Sequence, residues 1–441
     1  MKNNLLLVNL PCHSTMQDFV ENKYNYNPSL GLLAITEYLT MFGFNSYIQD
    51  YNYSEMNYFE LNNFIEQNNI TVVGITVYTE NLNILFKFAR TLKSFKKDLI
   101  IIAGGPHATL RPEEVIKSKS IDYVTTKDGE ATFLELMLYL EKGEEVININ
   151  DIKGLVYKKN SEKIINESRS GVTELDLLPI INRERVDISR YKTVVTMYSS
   201  KGCPGLCIYC SASSISGARY RMRNIKNVFL ECQLIYHQIG KTTNKIFFID
   251  DTFTVNIRRL REFCELCNTM DLKMLWSCES RVDVMTEEIA DLIAKSKCYS
   301  IQFGVESGNQ EVLDSLRKHI DLKHLEKIVT YLSKYDIGVF TSFIIGHYTD
   351  TEETMIQTIE FSRKLRKLNM NVDFAISINT PFPGTWQYEN AEKIGLNIID
   401  KDYSHYNLAT PVFTTKNFDI EKLLELYAKS NSYSFLDGKR A

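Results

Sequence analysis

The chain has 441 residues, 44% apolar and 24% charged, an ordinary globular balance with room for two or three cores, and its formal net charge of −4 gives no global reason to expect nucleic-acid binding. No apolar run reaches transmembrane length, and the opening Leu5-Leu6-Leu7-Val8 run is too short for a signal segment and is closed by Pro11. Nine cysteines without such a segment predict a reducing, cytoplasmic setting rather than a disulfide scaffold, and no role at a membrane.

Residues 1–143 alternate strand and helix patterns. Leu5–Leu10 reads as a buried strand, and Ser29–Phe42 as a helix with Ser29 as N-cap and Gly43 as its stop. Strand patterns recur at Phe44–Asp50, Val72–Val77, Leu99–Ala103 and Ile121–Thr125, with helices at Tyr58–Gln67, Asn81–Ser94 and Glu130–Leu140. Pro112 starts a short helix. Five alternations predict a doubly wound α/β domain, whose ligands sit at the carboxyl ends of the strands. Those ends carry Thr76 and Tyr78, Gly104, Gly105 and His107, and Glu130. A diglycine lets backbone approach a bulky ligand closely, though many are only tight turns.

Residues 144–191 read as a linker holding a small hairpin, Ile152–Tyr157 and Lys163–Ile165, turned at Lys159-Asn160-Ser161. From Thr193 the alternation resumes. Strands are expected at Thr193–Met197, Lys245–Ile249, Met274–Cys278, Ser300–Val305, Gly338–Ile345 and Asp373–Ile378. Six such units over 192–390 predict a parallel, partial (β/α)6 barrel, with its site at the C-terminal strand ends. The first end delivers Cys203, Cys207 and Cys210, spaced C-x3-C-x2-C on a loop containing Pro204 and Gly205. Three thiolates on one loop can hold three corners of an iron–sulfur cube and leave a fourth iron open. A zinc site would want a fourth ligand nearby, and none follows within twenty residues. The other ends deliver Asp250 and Asp251, then Glu279, Ser280 and Arg281, then Glu306, then Gly346 and His347, then Pro381–Thr385. A zwitterionic amino acid on the open iron would need such a ring of carboxylates, cation and hydroxyls. Cys264 and Cys267, three apart on a helical pattern, read as packing, and Cys232 and Cys298 as core.

The first third resembles the cobalamin-binding domain that precedes many radical S-adenosylmethionine enzymes. The resemblance rests on Pro28–Ala34, Asp50, Gly74–Thr76, Gly104–Thr109 and Gly129–Thr132. The D-x-H-x-x-G motif of methionine-synthase-type domains is missing, and the only histidine near the first strand end is His13. The resemblance therefore implies cobalamin bound base-off with no histidine ligand; a degenerate domain without cobalamin is the rival. Residues 193–390 resemble the radical S-adenosylmethionine superfamily, through the cysteine motif with Tyr209 before its third cysteine, Phe248–Phe253, Gly304–Gly308 and Pro381–Thr385.

By that resemblance Cys203, Cys207 and Cys210 hold a [4Fe–4S] cluster. Asp250 or Asp251 touches the amine of S-adenosylmethionine, Ser280 and Arg281 are candidates for its carboxylate, and Glu306 for its ribose. Gly346-His347-Tyr348 departs from the family's Gly-Pro-Gly. The implied chemistry is reductive cleavage of S-adenosylmethionine and hydrogen abstraction from an unactivated carbon, most often ending in methylation. Flavodoxin or ferredoxin would be the electron donor, and a small molecule or short peptide the substrate. Residues 391–441 form a C-terminal segment expected near the barrel mouth. The competing readings are a cyclisation or rearrangement catalyst, a tRNA methylthiotransferase and a non-catalytic sensor. No side chain is assigned to the chemistry itself.

Overall fold

The computed structural model describes residues 4–12, 27–191 and 194–431. His13 and Thr193, named above, lie outside the described residues. The chain divides into two compact units. The first holds residues up to 190 with 214–217 and 402–405, and the second holds the rest.

The first unit is built on β1 (Asn4–Asn9), β2 (Ser46–Asp50), β3 (Ile70–Thr76), β4 (Ile100–Gly104) and β5 (Tyr123–Thr125), parallel in the order 2-1-3-4-5. Alternate residues of β1 enter different cores. Leu6 and Val8 pack with Val73, Ile75 and Phe88, whereas Leu5 and Leu7 pack with Val72, Phe133 and Met137. This explains why the strand reads as a continuous apolar run: helices cover both faces. Ser29 caps the helix Leu30–Met41 by accepting from the Leu32 N–H, as its position predicts.

The hairpin expected in a linker belongs to this sheet. β6 (Leu155–Lys159) pairs antiparallel with β5, and β7 (Glu162–Ile165) follows it. Both turn residues, Asn160 and Ser161, have positive φ (53° and 69°). Such a two-residue turn matches the twist of its flanking strands. Leu155, Val156 and Tyr157 are buried, so the strand supplies core as well as connection.

The second unit is a six-stranded parallel sheet. Its strands are β8 (Val195–Met197), β11 (Lys245–Phe248), β12 (Leu275–Ser280), β13 (Cys298–Glu306), β14 (Gly338–Ile345) and β15 (Val372–Ile378), adjacent in chain order. A two-residue ladder, β9 (Ser200–Lys201) with β10 (Arg221–Met222), flanks the cysteine loop. A second short pair, β16 (Leu396–Ile398) with β17 (Phe413–Thr415), lies in the C-terminal segment. The outer face is packed: Phe248, Phe253, Phe263 and Trp276 form a cluster with ring centroids 4.4–6.2 Å apart.

Three helices absent from the expectations complete the alternation: Gln310–Ser315, Leu322–Leu332 and Glu352–Leu368. The last buries Thr358 and Ser362 within its apolar stripe, which blurs the periodicity that would reveal it. The C-terminal segment returns to the sheet, where the Ile378 N–H donates to Leu408. Leu423 of the helix Ile420–Asn431 lies 3.1 Å from where a side chain on Gly346 would begin.

Candidate functional site

In the second unit the cysteine loop is held from several directions. The Ile208 N–H donates to the Leu316 carbonyl (3.2 Å), and the Ile208 carbonyl accepts from Gln387 (2.9 Å). The Ile208 side chain packs on Val312 and Leu316. Just upstream, Asp250 accepts from the Ser199 N–H (2.6 Å), the Ser199 hydroxyl (2.5 Å) and the Ser200 hydroxyl (2.6 Å). Asp250 is almost fully buried, so its two oxygens are committed to fixing this approach. Asp251 accepts from the Gly202 N–H and lies near enough to Cys203 to raise its pKa. Of the two aspartates named for the amine, Asp251 is the one that faces the loop.

The three thiols are free, with Cys210 exposed and Cys203 and Cys207 half-buried. Among the described residues no three His, Cys, Asp or Glu side chains converge as a single-ion site would. Burial pushes the Cys203 thiol up, and Cys210 up to about 11. Thiolates there need positive charge, and Arg281 and Lys318 lower these two values in turn. The loop fits a cluster that offers each thiolate its own iron corner.

Arg281 is oriented by Asp283, which accepts from its Nε (2.9 Å) and one Nη (2.8 Å). Its other Nη lies 2.7 Å from where a side chain on Gly205 would begin, so a side chain there would push the guanidinium aside. Ser280 is turned away: its hydroxyl is buried and 2.5 Å from that of Thr254. Glu306 has a φ of 75° and a buried carboxylate that accepts from Lys318 Nζ at 2.9 Å and from the Tyr209 hydroxyl. A side chain on Gly304 would begin 2.6 Å from that carboxylate, so glycine clears the space for the pair. Burial and the Glu306 carboxylate push the Tyr209 phenol well above its ordinary value. Burial opposes the Lys318 charge, but Glu306 and Cys207 outweigh it and hold the ammonium above its usual range.

Lys318 is a charged side chain beside the cysteine loop that strand-end reading misses, because it sits twelve residues beyond β13, after a helix. Glu279, one of the strand ends with no assigned role, points into the sheet's open interior. Protein walls hem it in even though water reaches it. Burial first, then Asp251, push its carboxyl up to about 7, against the pull of Lys318. His347 is fully buried against the Tyr209 ring (5.9 Å), and burial lowers its pKa. Asp350 fixes that turn by accepting from the Gly346 and His347 N–H groups (2.9 and 2.8 Å).

In the first unit the register aligns Asp50, Asn9, Thr76 and Gly104 across four neighbouring strands. They form one carboxyl edge at the switch between β1 and β3, where such sheets take ligands. Asn9 donates to Asp50 (3.1 Å). Gly105 has a φ of 99°, and a side chain on it would begin 2.6 Å from Thr76 Oγ1 and 3.0 Å from the Val77 nitrogen. The diglycine therefore serves first to let this edge pack closely. Tyr78 keeps about a third of its surface (37%) open to water at the edge, while the protein crowded around its ring pushes its phenol up to about 12. Glu130 is buried in the first turn of the helix Gly129–Lys142.

His107 is fully buried, with Nδ1 3.1 Å from Thr79 Oγ1 and its ring edge-on to Tyr403 at 5.3 Å. Burial lowers its pKa to about 4, which suits a neutral packing histidine. The row of small and amide side chains along this edge fits a large, flat cofactor laid against the strand ends.

Residues 197–362 match the radical SAM superfamily, and residues 16–137 match the B12 binding domain. The chain is 31% identical over 368 residues to the "uncharacterized methyltransferase PH0819" of Pyrococcus horikoshii, covering 81% of this chain and 77% of that protein. It is 26% identical over 371 residues to the anaerobic magnesium-protoporphyrin IX monomethyl ester cyclase of Rubrivivax gelatinosus, over 80% of this chain and 64% of the cyclase. In fold it resembles the radical S-adenosylmethionine methyltransferase TsrM of Kitasatospora setae, solved with cobalamin and a [4Fe–4S] cluster (TM-score 0.73, 18% identity, 89% of this chain and 75% of that one). The chain belongs to the radical S-adenosylmethionine superfamily and carries a cobalamin-binding domain, which makes it a cobalamin-dependent radical enzyme. Among the described residues no helix is long and apolar enough to cross a membrane.

Proposed function

We propose that this enzyme abstracts hydrogen from an unactivated carbon of a small molecule or short peptide and methylates it. The observation that carries this reading is the cysteine loop, fixed by Asp250, Leu316 and Gln387 and ringed by Arg281, Lys318 and Asp251. When bound, the cluster supplies the electron for cleaving S-adenosylmethionine, and cobalamin supplies the methyl group. The protein's part is positioning and exclusion of water.

Cys203, Cys207 and Cys210 hold the cluster in this reading. Arg281, pre-aimed by Asp283, meets the carboxylate of S-adenosylmethionine, and Asp251 its ammonium. The Glu306–Lys318 pair presents one acceptor and one cation toward the ribose, with Tyr209 fixing its orientation. Thr76, Tyr78, Gly104 and Gly105 line the cobalamin edge, with the cofactor base-off. Asp250, Ser280 and His107 act through structure rather than by contact. The domain bounds 1–143, 192–390 and 391–441, a flavodoxin- or ferredoxin-type donor and a cytoplasmic location complete the proposal.

Anaerobically reconstituted protein with a strong reductant should release 5′-deoxyadenosine. The Cys203→Ala, Cys207→Ala, Cys210→Ala triple variant should lose the iron and keep cobalamin. Iron retained in that variant, or no deoxyadenosine from the wild type, would overturn the reading. A cyclase among the relatives favours a second outcome on the same cofactors, ring closure without methylation. Methylation yields S-adenosylhomocysteine and a heavier product, and cyclisation yields neither.

A further inference from the structure

The first sheet ends on one side at β7 and on the other at β2. Unpaired strand edges invite pairing with another chain, and proteins usually guard them with charge. β7 does so with Glu162 and Lys163, whereas β2 carries no charge before Asp50. The register shows which groups of β2 are open. The Leu5 N–H donates to the Asn45 carbonyl, and the Tyr51 N–H to the Asn9 carbonyl. With Leu5 opposite Ser46 and Asn9 opposite Asp50, the ladder to β1 uses the backbone of Tyr47, Gln49 and Tyr51. Ile48 and Asp50 therefore point their backbone groups away from the sheet. The Ser54 hydroxyl donates to the Asp50 carbonyl (2.9 Å), but among the described residues nothing pairs with the Asp50 N–H or with either backbone group of Ile48.

A groove of about 530 Å³ runs along this open side, between residues 48–51, the helix Tyr58–Gln67 and the stretch 185–190. That stretch is pinned as the far wall. Arg185 donates to Glu37 (2.8 Å) and Thr40 (3.2 Å), and Arg190 donates to the Tyr53 carbonyl (2.9 Å) and lies over the Tyr53 ring (5.4 Å). Both cations are thus engaged, while four carboxylates line the groove: Asp50, Glu55, Glu60 and Asp187. Neutral groups donate to them, Asn9 and Asn52 to Asp50, Asn57 to Glu60 and Ser189 to Asp187, so negative charge prevails there.

We propose that this edge is a docking site for an extended, basic polypeptide segment, which adds a strand beside β2 and sets lysine or arginine side chains among these carboxylates. Backbone pairing supplies the affinity and alternate side chains the selectivity. Residues 48–51 span roughly 10 Å, room for about three extended residues of the partner. A second copy of this chain fits less well, since pairing β2 with β2 brings the same acidic groove in twice. The proposal goes beyond the radical-enzyme reading and does not depend on it.

The test uses the full-length, cobalamin-loaded protein and an acetylated lysine-valine-lysine-valine-lysine amide, titrated by saturation-transfer NMR. One control peptide carries glutamate in place of lysine. Another is N-methylated at every backbone amide, which keeps the charge and prevents pairing. The lysine peptide should bind and neither control should. Glu55→Lys with Glu60→Lys should weaken binding about tenfold. Ile48→Pro removes an outward N–H and spares the ladder to β1, so it should abolish binding. Melting curves check that the variants fold; if Ile48→Pro does not, the N-methylated peptide decides. No binding of the lysine peptide, equal binding of the N-methylated one, or unchanged binding in the charge-reversed double variant would overturn the assignment. So would a mass that doubles with concentration in the wild type and not in Ile48→Pro, which gives the edge to a second copy.

Discussion

The two large sheets of this chain use their faces in opposite ways. In the first, neighbouring residues of β1 enter separate apolar cores, and each face is sealed by helices. In the second, Trp276, Ile301, Phe303 and Phe343 are sealed on the outer face, while Glu279, Gln302 and Ser342 on the inner face meet water. Strands β1–β5 of the first sheet and all six strands of the second run parallel, and both sets bring candidate site residues to their carboxyl ends. The contrast teaches where each sheet keeps its stability: the first throughout its thickness, the second in its outer layer and in a few ion pairs at the rim.

The rim should show the largest effect. Lys318→Met leaves Glu306 buried beside Tyr209 without its cation. Breaking such a buried pair costs about 3–5 kcal/mol, readable in urea unfolding of the apoprotein. A loss under about 1 kcal/mol would mean that water reaches Glu306 and that the rim is not a source of stability. The faces themselves come next. Leu7→Ala, in the doubly covered sheet, should cost about 2–5 kcal/mol, whereas Ser342→Ala, on the open face, should stay within about 0.5 kcal/mol. Equal costs at the two positions would erase the contrast.

The smallest effect concerns pH. The Glu279 carboxyl is pushed from 4.5 up to about 7, so the folded protein keeps a proton that the unfolded chain has already released. Wild-type stability should therefore fall as pH rises from about 4.5 to about 7. Glu279→Gln should gain on the wild type across that window and hold the gain above it. Parallel pH profiles for the two proteins would show that the open face screens this charge fully.

Much of this was legible in residue order. The apolar run Leu5–Val8 announces a strand covered on both faces, and Gly338–Ile345, broken by Thr341 and Ser342, one packed on alternate residues. The cysteine spacing marks the loop because few structural roles need three thiols in eight residues. Partnership was less legible. Asp250 and Asp251 are adjacent and chemically alike, and only the fold commits the first to Ser199 and Ser200 and leaves the second facing the loop. Ser280, the last residue of β12, and Arg281, the extended residue after it, divide in the same way, since extended backbone sends neighbours to opposite sides. Lys318 reaches Glu306 only because the short helix Gln310–Ser315 folds the chain back on itself. The hairpin β6–β7 looked like a connection because its apolar run is brief, yet it extends the first sheet.

Asp250 has one further consequence. Its three hydrogen bonds hold the stem of the cysteine loop, and the backbone bonds of Ile208 hold its middle, with only protein atoms involved. Protein hydrogen bonds thus hold this loop at two separate points, neither of them a cysteine. Losing the Asp250 carboxylate would release the Ser199 N–H and both serine hydroxyls at once, so a residue that ligates nothing governs where the three thiols stand.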